Sequence, residues 1–292
     1  MIESFAQLGI IAAASFSVYA LASLGFLLIY IPAKFFNFTA AVPVLLTPYI
    51  AYAVIQRSGS FALGCLISLA AAGILGGFLY QVVFRRLGAS GYSATIQLVA
   101  TLGIYTAAVG VIGLIFGQQS VRIDPFESEA ILLPLEIRVS FAQALSIGTA
   151  AAAILCFHVV WRRTEVGLRL RAMADDMILA RILSIPVSRY AMFAFAAGFV
   201  LLGLAGVLGG FDSALRPTFA FPLVVVAMVA AAVGQGNARF AAALAASAVI
   251  AIAETAVAWY AGEAWARPVS LVCLIVILVW AGTQRRNSLR QV

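Results

Sequence analysis

The sequence predicts an all-α fold: a polytopic integral membrane helical bundle of 8–9 transmembrane helices, some broken or re-entrant. Three observations carry this. Of 292 residues, 64% are hydrophobic. Only 10% are charged, against roughly 25% in a soluble chain. The mean hydropathy is +1.08. Such a chain cannot cover itself against water, which excludes a soluble enzyme, a disordered regulator and a secreted disulfide scaffold. Residues 1–292 read as a single transmembrane domain.

The spans follow from the charges, because each charge costs several kcal/mol or so at mid-bilayer. The uncharged intervals are 4–33, 35–56, 58–84, 87–121, 139–161, 190–211, 217–238, 240–262 (broken by Glu254) and 268–284. Each is near or above the roughly 20 residues that cross the hydrocarbon. The start lacks the basic region of a signal peptide, so the first run reads as a retained span. Two intervals are weak. Pro43 and Pro48 interrupt 35–56, and Pro217 and Pro222 open 217–238. Either is a candidate broken or re-entrant helix.

The net charge of +7 belongs to the membrane, not to nucleic acid. With nine crossings, thirteen of the 18 Lys+Arg fall on one side, beginning with Lys34, Arg85 and Arg86. Arg57, Arg122, Arg138, Arg216 and Arg267 fall on the other. The positive-inside bias then puts the C-terminus in the cytoplasm and the N-terminus outside.

Two loops are long. Residues 118–138 hold Asp124, Glu127, Glu129 and Glu136 and read as an acidic external loop. Residues 162–189 read as a cytoplasmic segment with a short amphipathic helix. Leu168, Met173, Met177, Ile178, Ile182 and Ile185 recur at steps of three and four. By composition, this helix either docks a soluble partner or lies on the lipid interface.

Inside the spans, Gly113/Gly117 and Gly206/Gly210 have GxxxG spacing, which favours close helix packing. Asn37 and Thr39 sit among Phe35, Phe36 and Phe38, just before Pro43. A helix break of that kind exposes backbone groups, which at membrane depth suits a wet or substrate-lined cavity. The alternative is an interfacial loop in which Asn37 and Thr39 cap the next helix. Glu254 is the one acid inside a span and so a functional candidate. His158 reads as structural, and Cys65, Cys156 and Cys273 as small buried hydrophobes.

No metal-ligand cluster, HExxH, GxSxG or Walker A motif occurs. No catalytic constellation supports an intramembrane enzyme. A row of gating arginines and a TVGYG filter are also absent. What remains is a transporter or channel core. Its energy comes from another subunit or from an ion gradient.

Several pieces in order resemble the permease subunits of bacterial ABC importers for branched-chain amino acids, the LivH type, with urea and amide permeases as relatives. They are Gly25-Phe26-Leu27-Leu28-Ile29-Tyr30, then Asn37-Phe38 and Ala51-Tyr52, and Thr101-Leu102-Gly103. The strongest is Thr164-Glu165-Val166-Gly167 with Arg171-Ala172-Met173-Ala174-Asp175 and Ala180-Arg181-Ile182-Leu183-Ser184-Ile185. Ala205-Gly206-Val207-Leu208 and Val233-Gly234-Gln235-Gly236-Asn237 follow. The resemblance covers roughly residues 20–283. It departs where Thr39-Ala40-Ala41 follows Asn37-Phe38 in place of Ala-His-Gly, and where Ser184 replaces a glycine.

The resemblance implies an importer subunit with a second homologous permease, two ATPase subunits, a periplasmic substrate-binding protein and the lipid bilayer as partners. It implies no cofactor in this chain, ATP being bound by the partner subunits. It turns residues 162–189 into an ATPase-coupling loop, with Arg171, Asp175, Asp176, Ile178, Leu179, Ala180, Arg181 and Ile182 as contacts. A helix around 175–183 would carry the two aspartates in its first turn, an apolar ridge, and Ala180 as a small contact for a partner backbone. Asn37, Phe38, Thr39, Thr101, Tyr105 and Glu254 are the candidate lining of the substrate path. The runner-up is a self-contained secondary transporter or channel with Glu254 as coupling acid. It requires an inverted repeat, and none is evident.

Overall fold

In a computed structural model of the chain, residues 2–89, 93–117, 119–121, 130–133, 137–212, 215–234, 240–262 and 272 are described. The acidic residues at 124–136, the span at 268–284, Cys273 and Gln235–Asn237 lie outside them.

Helix α1 spans Ile2–Ala33, with Pro32 in its last turn. It stops at Lys34, whose φ of +60° is left-handed. A 3₁₀ turn, Phe38–Ala40, then leads into α2, Ala41–Ser58. Pro43 lies in the first turn of α2, where no intrahelical donor is lost. Pro48 lies deeper and leaves the Val44 carbonyl without its usual donor. At that carbonyl α9 (Val187–Asp212) comes closest: a Cβ on Gly206 would sit 2.4 Å from Val44 O. Gly210 faces Pro48 in the same way, at 3.1 Å. The Gly206/Gly210 pair is thus an internal packing seam. The other pair differs, because Gly117 (φ +79°) caps the end of its helix by donating to Gly113 O.

Helix α3 (Phe61–Leu79) continues through a π-turn, Tyr80–Phe84, into α4, Arg85–Ala89. Helix α5 spans Ala94–Phe116, its first turn capped by Ser93. A hairpin of β1 (Ala130–Leu133) and β2 (Ile137–Ser140) follows. The segment expected to be only an acidic loop therefore includes paired backbone. Helix α6 covers Phe141–Arg163.

The expected single cytoplasmic helix is two helices, α7 (Glu165–Asp175) and α8 (Met177–Ile182). Thr164 caps α7 by accepting from Gly167 N. A Cβ at Gly167 would lie 2.3 Å from Trp161 O, so the α6–α7 corner admits only glycine. Asp176 makes the break. It is extended, and its carboxylate accepts from Ile178 N (2.7 Å) and Leu179 N (3.0 Å). Asp175 closes α7 and does not open α8, which corrects the expected placement.

Helices α10 (Ala220–Gly234) and α11 (Phe240–Ala261) complete the described bundle. Among the described residues, seven helices are long and apolar enough to cross a membrane. They correspond to seven of the nine predicted intervals. Among the described residues, the interval 217–238 holds the 15-residue α10, about 22 Å at 1.5 Å per residue and short of a 30 Å hydrocarbon core.

The core forms around α1, α2, α9 and α10. Gly25 and Gly198 let α1 and α9 cross so closely that a Cβ on either would lie 2.7 Å from the other's carbonyl oxygen. Helices α5 and α6 stay on the periphery, with outward residues such as Leu114, Ile115 and Leu155. Cys156 on α6 is exposed, not buried as expected, and Cys65 is half-buried. On a membrane protein such faces meet lipid or another subunit.

Candidate functional site

The break between α1 and α2 gathers five of the six path candidates. Asn37 is fully buried, and its Oδ1 accepts from Thr39 N at 2.9 Å and Thr39 Oγ1 at 2.5 Å. It is thus the N-cap of the 3₁₀ turn, while α2 itself starts from Ala40 without a side-chain cap. Phe38 N donates to Thr101 Oγ1 on α5 at 3.2 Å. Thr101 is buried and donates in turn to Leu98 O at 2.8 Å. One turn further along α5, Tyr105 is buried as well.

Phe221 completes the group. Its ring stacks on Phe38 at 5.9 Å with only 5° between planes, and meets Tyr105 at 6.0 Å. Nothing in the sequence beyond the prolines at 217 and 222 hints at it. Leu215 pairs with Val121, beyond the end of α5, while Phe221 reaches the middle of α5. The chain therefore passes from beyond the end of α5 at Leu215 to its middle in the first turn of α10.

Capping uses only one end of the Asn37 amide. Its Nδ2 is buried with no hydrogen-bond partner. Among the described residues, one other buried side-chain atom is in that position, Tyr49 Oη on α2. The Tyr49 ring meets Phe116, at the far end of α5, at 4.9 Å. Both orphan donors thus lie along the meeting of α2 with α5. Leaving a buried donor unmade costs about 1–3 kcal/mol, so a natural protein keeps one where a ligand or water completes it.

Glu254 is elsewhere. It accepts a hydrogen bond from Tyr19 Oη, which fastens α11 to α1. One and two turns along, Ser247 Oγ lies 3.1 Å from Ser23 Oγ in the same seam.

The coupling candidates split by exposure. Ile178 (72%), Leu179, Ile182 (73%) and Leu183 are exposed, an apolar ridge without cover. Asp175, Asp176 and Arg181 are exposed beside it. Ala180 is 1% exposed and belongs to this chain's own core, so it offers nothing to a partner backbone. Arg171 Nε turns back to Gly167 O at 3.3 Å. Beneath, Met173 and Leu170 anchor α7 in the core.

A link between the two regions was not legible in the sequence. Lys34 Nζ donates to Ala174 O, in the last turn of α7, at 2.7 Å. Cations suit a helix C-terminus. Burial pushes the Lys34 amine below its usual range, and the Asp175 and Asp176 carboxylates partly oppose that.

A family model described as "Branched-chain amino acid transport system / permease component" matches residues 10–278. The probable branched-chain amino acid transport permease protein LivH of Methanocaldococcus jannaschii is 24% identical over 275 residues, 91% of this chain and 87% of the relative. The high-affinity branched-chain amino acid transport system permease proteins LivH of Salmonella typhimurium and Escherichia coli are each 24% identical over 277 residues, 90% of this chain and 89% of theirs.

Proposed function

From the premise that this chain belongs to the branched-chain amino acid transport permease family, we propose that it forms one wall of an ATP-driven import path for branched-chain or similar small amino acids. It is a multi-pass membrane transport subunit. In our reading it lies in the bacterial inner membrane, with residues 162–189 and the C-terminus cytoplasmic and residues 118–138 external. It works with a second homologous permease, two ATPases that bind ATP, and a periplasmic binding protein that supplies most of the selectivity.

One observation carries the path assignment: the orphan donor Asn37 Nδ2, in the break beside the Phe38, Tyr105 and Phe221 cluster. An amino acid has a carboxylate that needs donors and a side chain that needs an apolar surface. Asn37 supplies the first; Phe38, Tyr105 and Phe221 supply the second. Phe221 is also 42% exposed, so this surface opens outward from the chain. A broken-helix N-terminus facing a carboxylate is favourable as well.

Coupling follows from α7 and α8. The Ile178–Ile182 ridge docks on the ATPase, and α7, buried through Leu170 and Met173, moves with the bundle as a rigid lever. The test is reconstitution with the ATPases and binding protein in vesicles. ATP-dependent uptake of leucine, isoleucine or valine is expected. Uptake that needs a proton gradient and no ATP would overturn the reading.

A further inference from the structure

A cavity of about 1150 Å³ lies between the end of α1, the π-turn, the start of α5, α8 and the start of α9. Four cations line it: Lys34, Arg85, Arg181 and Arg189. No carboxylate is among its lining residues. Asp175 and Asp176, outside the lining, act on Lys34. Like charges converging on one cavity raise its potential and concentrate anions there.

The deeper wall has a different character. Phe84 and Tyr80 meet Phe195 at 4.7 and 5.2 Å, and Phe35 meets Phe84 at 6.3 Å. The π-turn brings two of these rings and Arg85 to the cavity together. Such turns are common at functional sites. Met192 lines the cavity and is exposed, and Phe78 on α3, Val82 in the π-turn and Phe193 on α9 are exposed apolar neighbours in sequence. On a transmembrane helix these residues meet the hydrocarbon, so the cavity borders lipid.

We propose that this cavity holds an anionic phospholipid of the cytoplasmic leaflet, its phosphate among Lys34, Arg85, Arg181 and Arg189 and an acyl chain along the exposed Met192 at the edge of the aromatic wall. A cationic rim over an aromatic wall fits an amphiphile. A soluble phosphate would use the rim and leave the wall bare, and so would an acidic ATPase segment. Basic pockets at helix ends on the cytoplasmic side bind lipid headgroups by the same chemistry. The inference rests on the membrane orientation proposed above, but not on the substrate.

The full-length permease, purified with its associated subunits, is equilibrated in vesicles of phosphatidylcholine and phosphatidylglycerol. It is then extracted, and its retained lipid is measured by native mass spectrometry. Phosphatidylglycerol should be retained in preference to phosphatidylcholine. Arg85→Gln with Arg189→Gln should retain about tenfold less or lower still, two charge-assisted contacts being lost. Arg57→Gln, at the other end of the bundle, should retain the wild-type amount. Arg85→Lys with Arg189→Lys should restore much of the retention, which separates charge from folding. Equal retention by the glutamine variant, equal retention of both lipids, or displacement of the lipid by inorganic phosphate would overturn the proposal. No transport is measured, so a wrong substrate assignment leaves this result untouched.

Discussion

Lys34 donates to the carbonyl of Ala174 at 2.7 Å, joining the residue that ends α1 to the residue next to the end of α7. The bond spans 140 positions in sequence. It also lies three residues before Asn37. A shift of α7 on its ATPase would thus pull on the turn that carries the orphan amide.

Lys34→Met should therefore uncouple the two regions. The methionine keeps the stem and drops the donor. ATP hydrolysis by the assembled transporter should persist while uptake per ATP falls several-fold. The fold should not suffer, because the substitution also removes a partly buried charge. A pH test separates these effects. The folded-state pKa of Lys34 lies below its unfolded value, so the unfolded chain binds more protons in that interval. Stability then rises as pH climbs through the folded pKa towards 10.5. The thermal midpoint of the wild type should gain on that of Lys34→Met as the pH rises towards 10.5. A constant difference would mean the amine is not desolvated.

Asn37 can be dissected by isosteres. Asn37→Asp keeps an acceptor for Thr39 N but replaces the free donor with negative charge, and uptake of amino acids should be nearly abolished. Asn37→Leu loses donor and cap together, at about 1 kcal/mol for the cap. It should also lose uptake while assembling normally. Wild-type uptake by both variants would reduce Asn37 to a capping residue.

Ala180 and Ile182 make opposite predictions, although two residues apart. Ala180 is buried, so Ala180→Trp should destabilise the permease itself by about 1–3 kcal/mol or more. Ile182→Ser and Ile178→Ser lie on the exposed ridge. They should leave the thermal midpoint unchanged and lower ATPase co-purification. Stable, fully coupled serine variants would remove the ridge from the coupling surface.

Glu254→Gln should retain uptake, because the amide oxygen still accepts from Tyr19. Uptake should also survive collapse of the proton gradient. Loss of both would make Glu254 a proton carrier.

Gly206→Leu should prevent folding. Even a single added methyl meets Val44 O at 2.4 Å, and the backbone there cannot yield. Recovery of folded protein in normal yield would show that α2 and α9 have room to separate.

Charges marked most of the fold in advance. Arg57, Arg85 and Arg163 stand within a few residues of helix ends, because the bilayer expels them. The Asn37–Thr39 break was legible for the same reason, as a polar pair amid aromatics. Pairings between distant residues were not legible. Phe221 meets Phe38, and Tyr19 meets Glu254, only through tertiary packing that has no local signature. The cut at Asp176 was missed because a carboxylate inside an amphipathic rhythm looks like a solvent-facing position. Its side chain instead accepts from the amides that follow. Ala180 was misplaced because a small residue on a helix suits either an outside contact or an inside one.

Helix α1 touches α9, α10 and α11 extensively, and this has a consequence during synthesis. Of the helices in this chain, α1 is made first, while α9 begins only at Val187. At about 5–20 residues per second, its principal neighbours arrive some ten to thirty seconds later. Until then the transmembrane helix it has to rest on is α6. Its high hydropathy lets it wait in lipid, and Gly25 keeps open the notch that Gly198 will fill. The hub is made early and enclosed late, so a ribosome that stalls after α8 leaves in the membrane a core element with its binding faces bare.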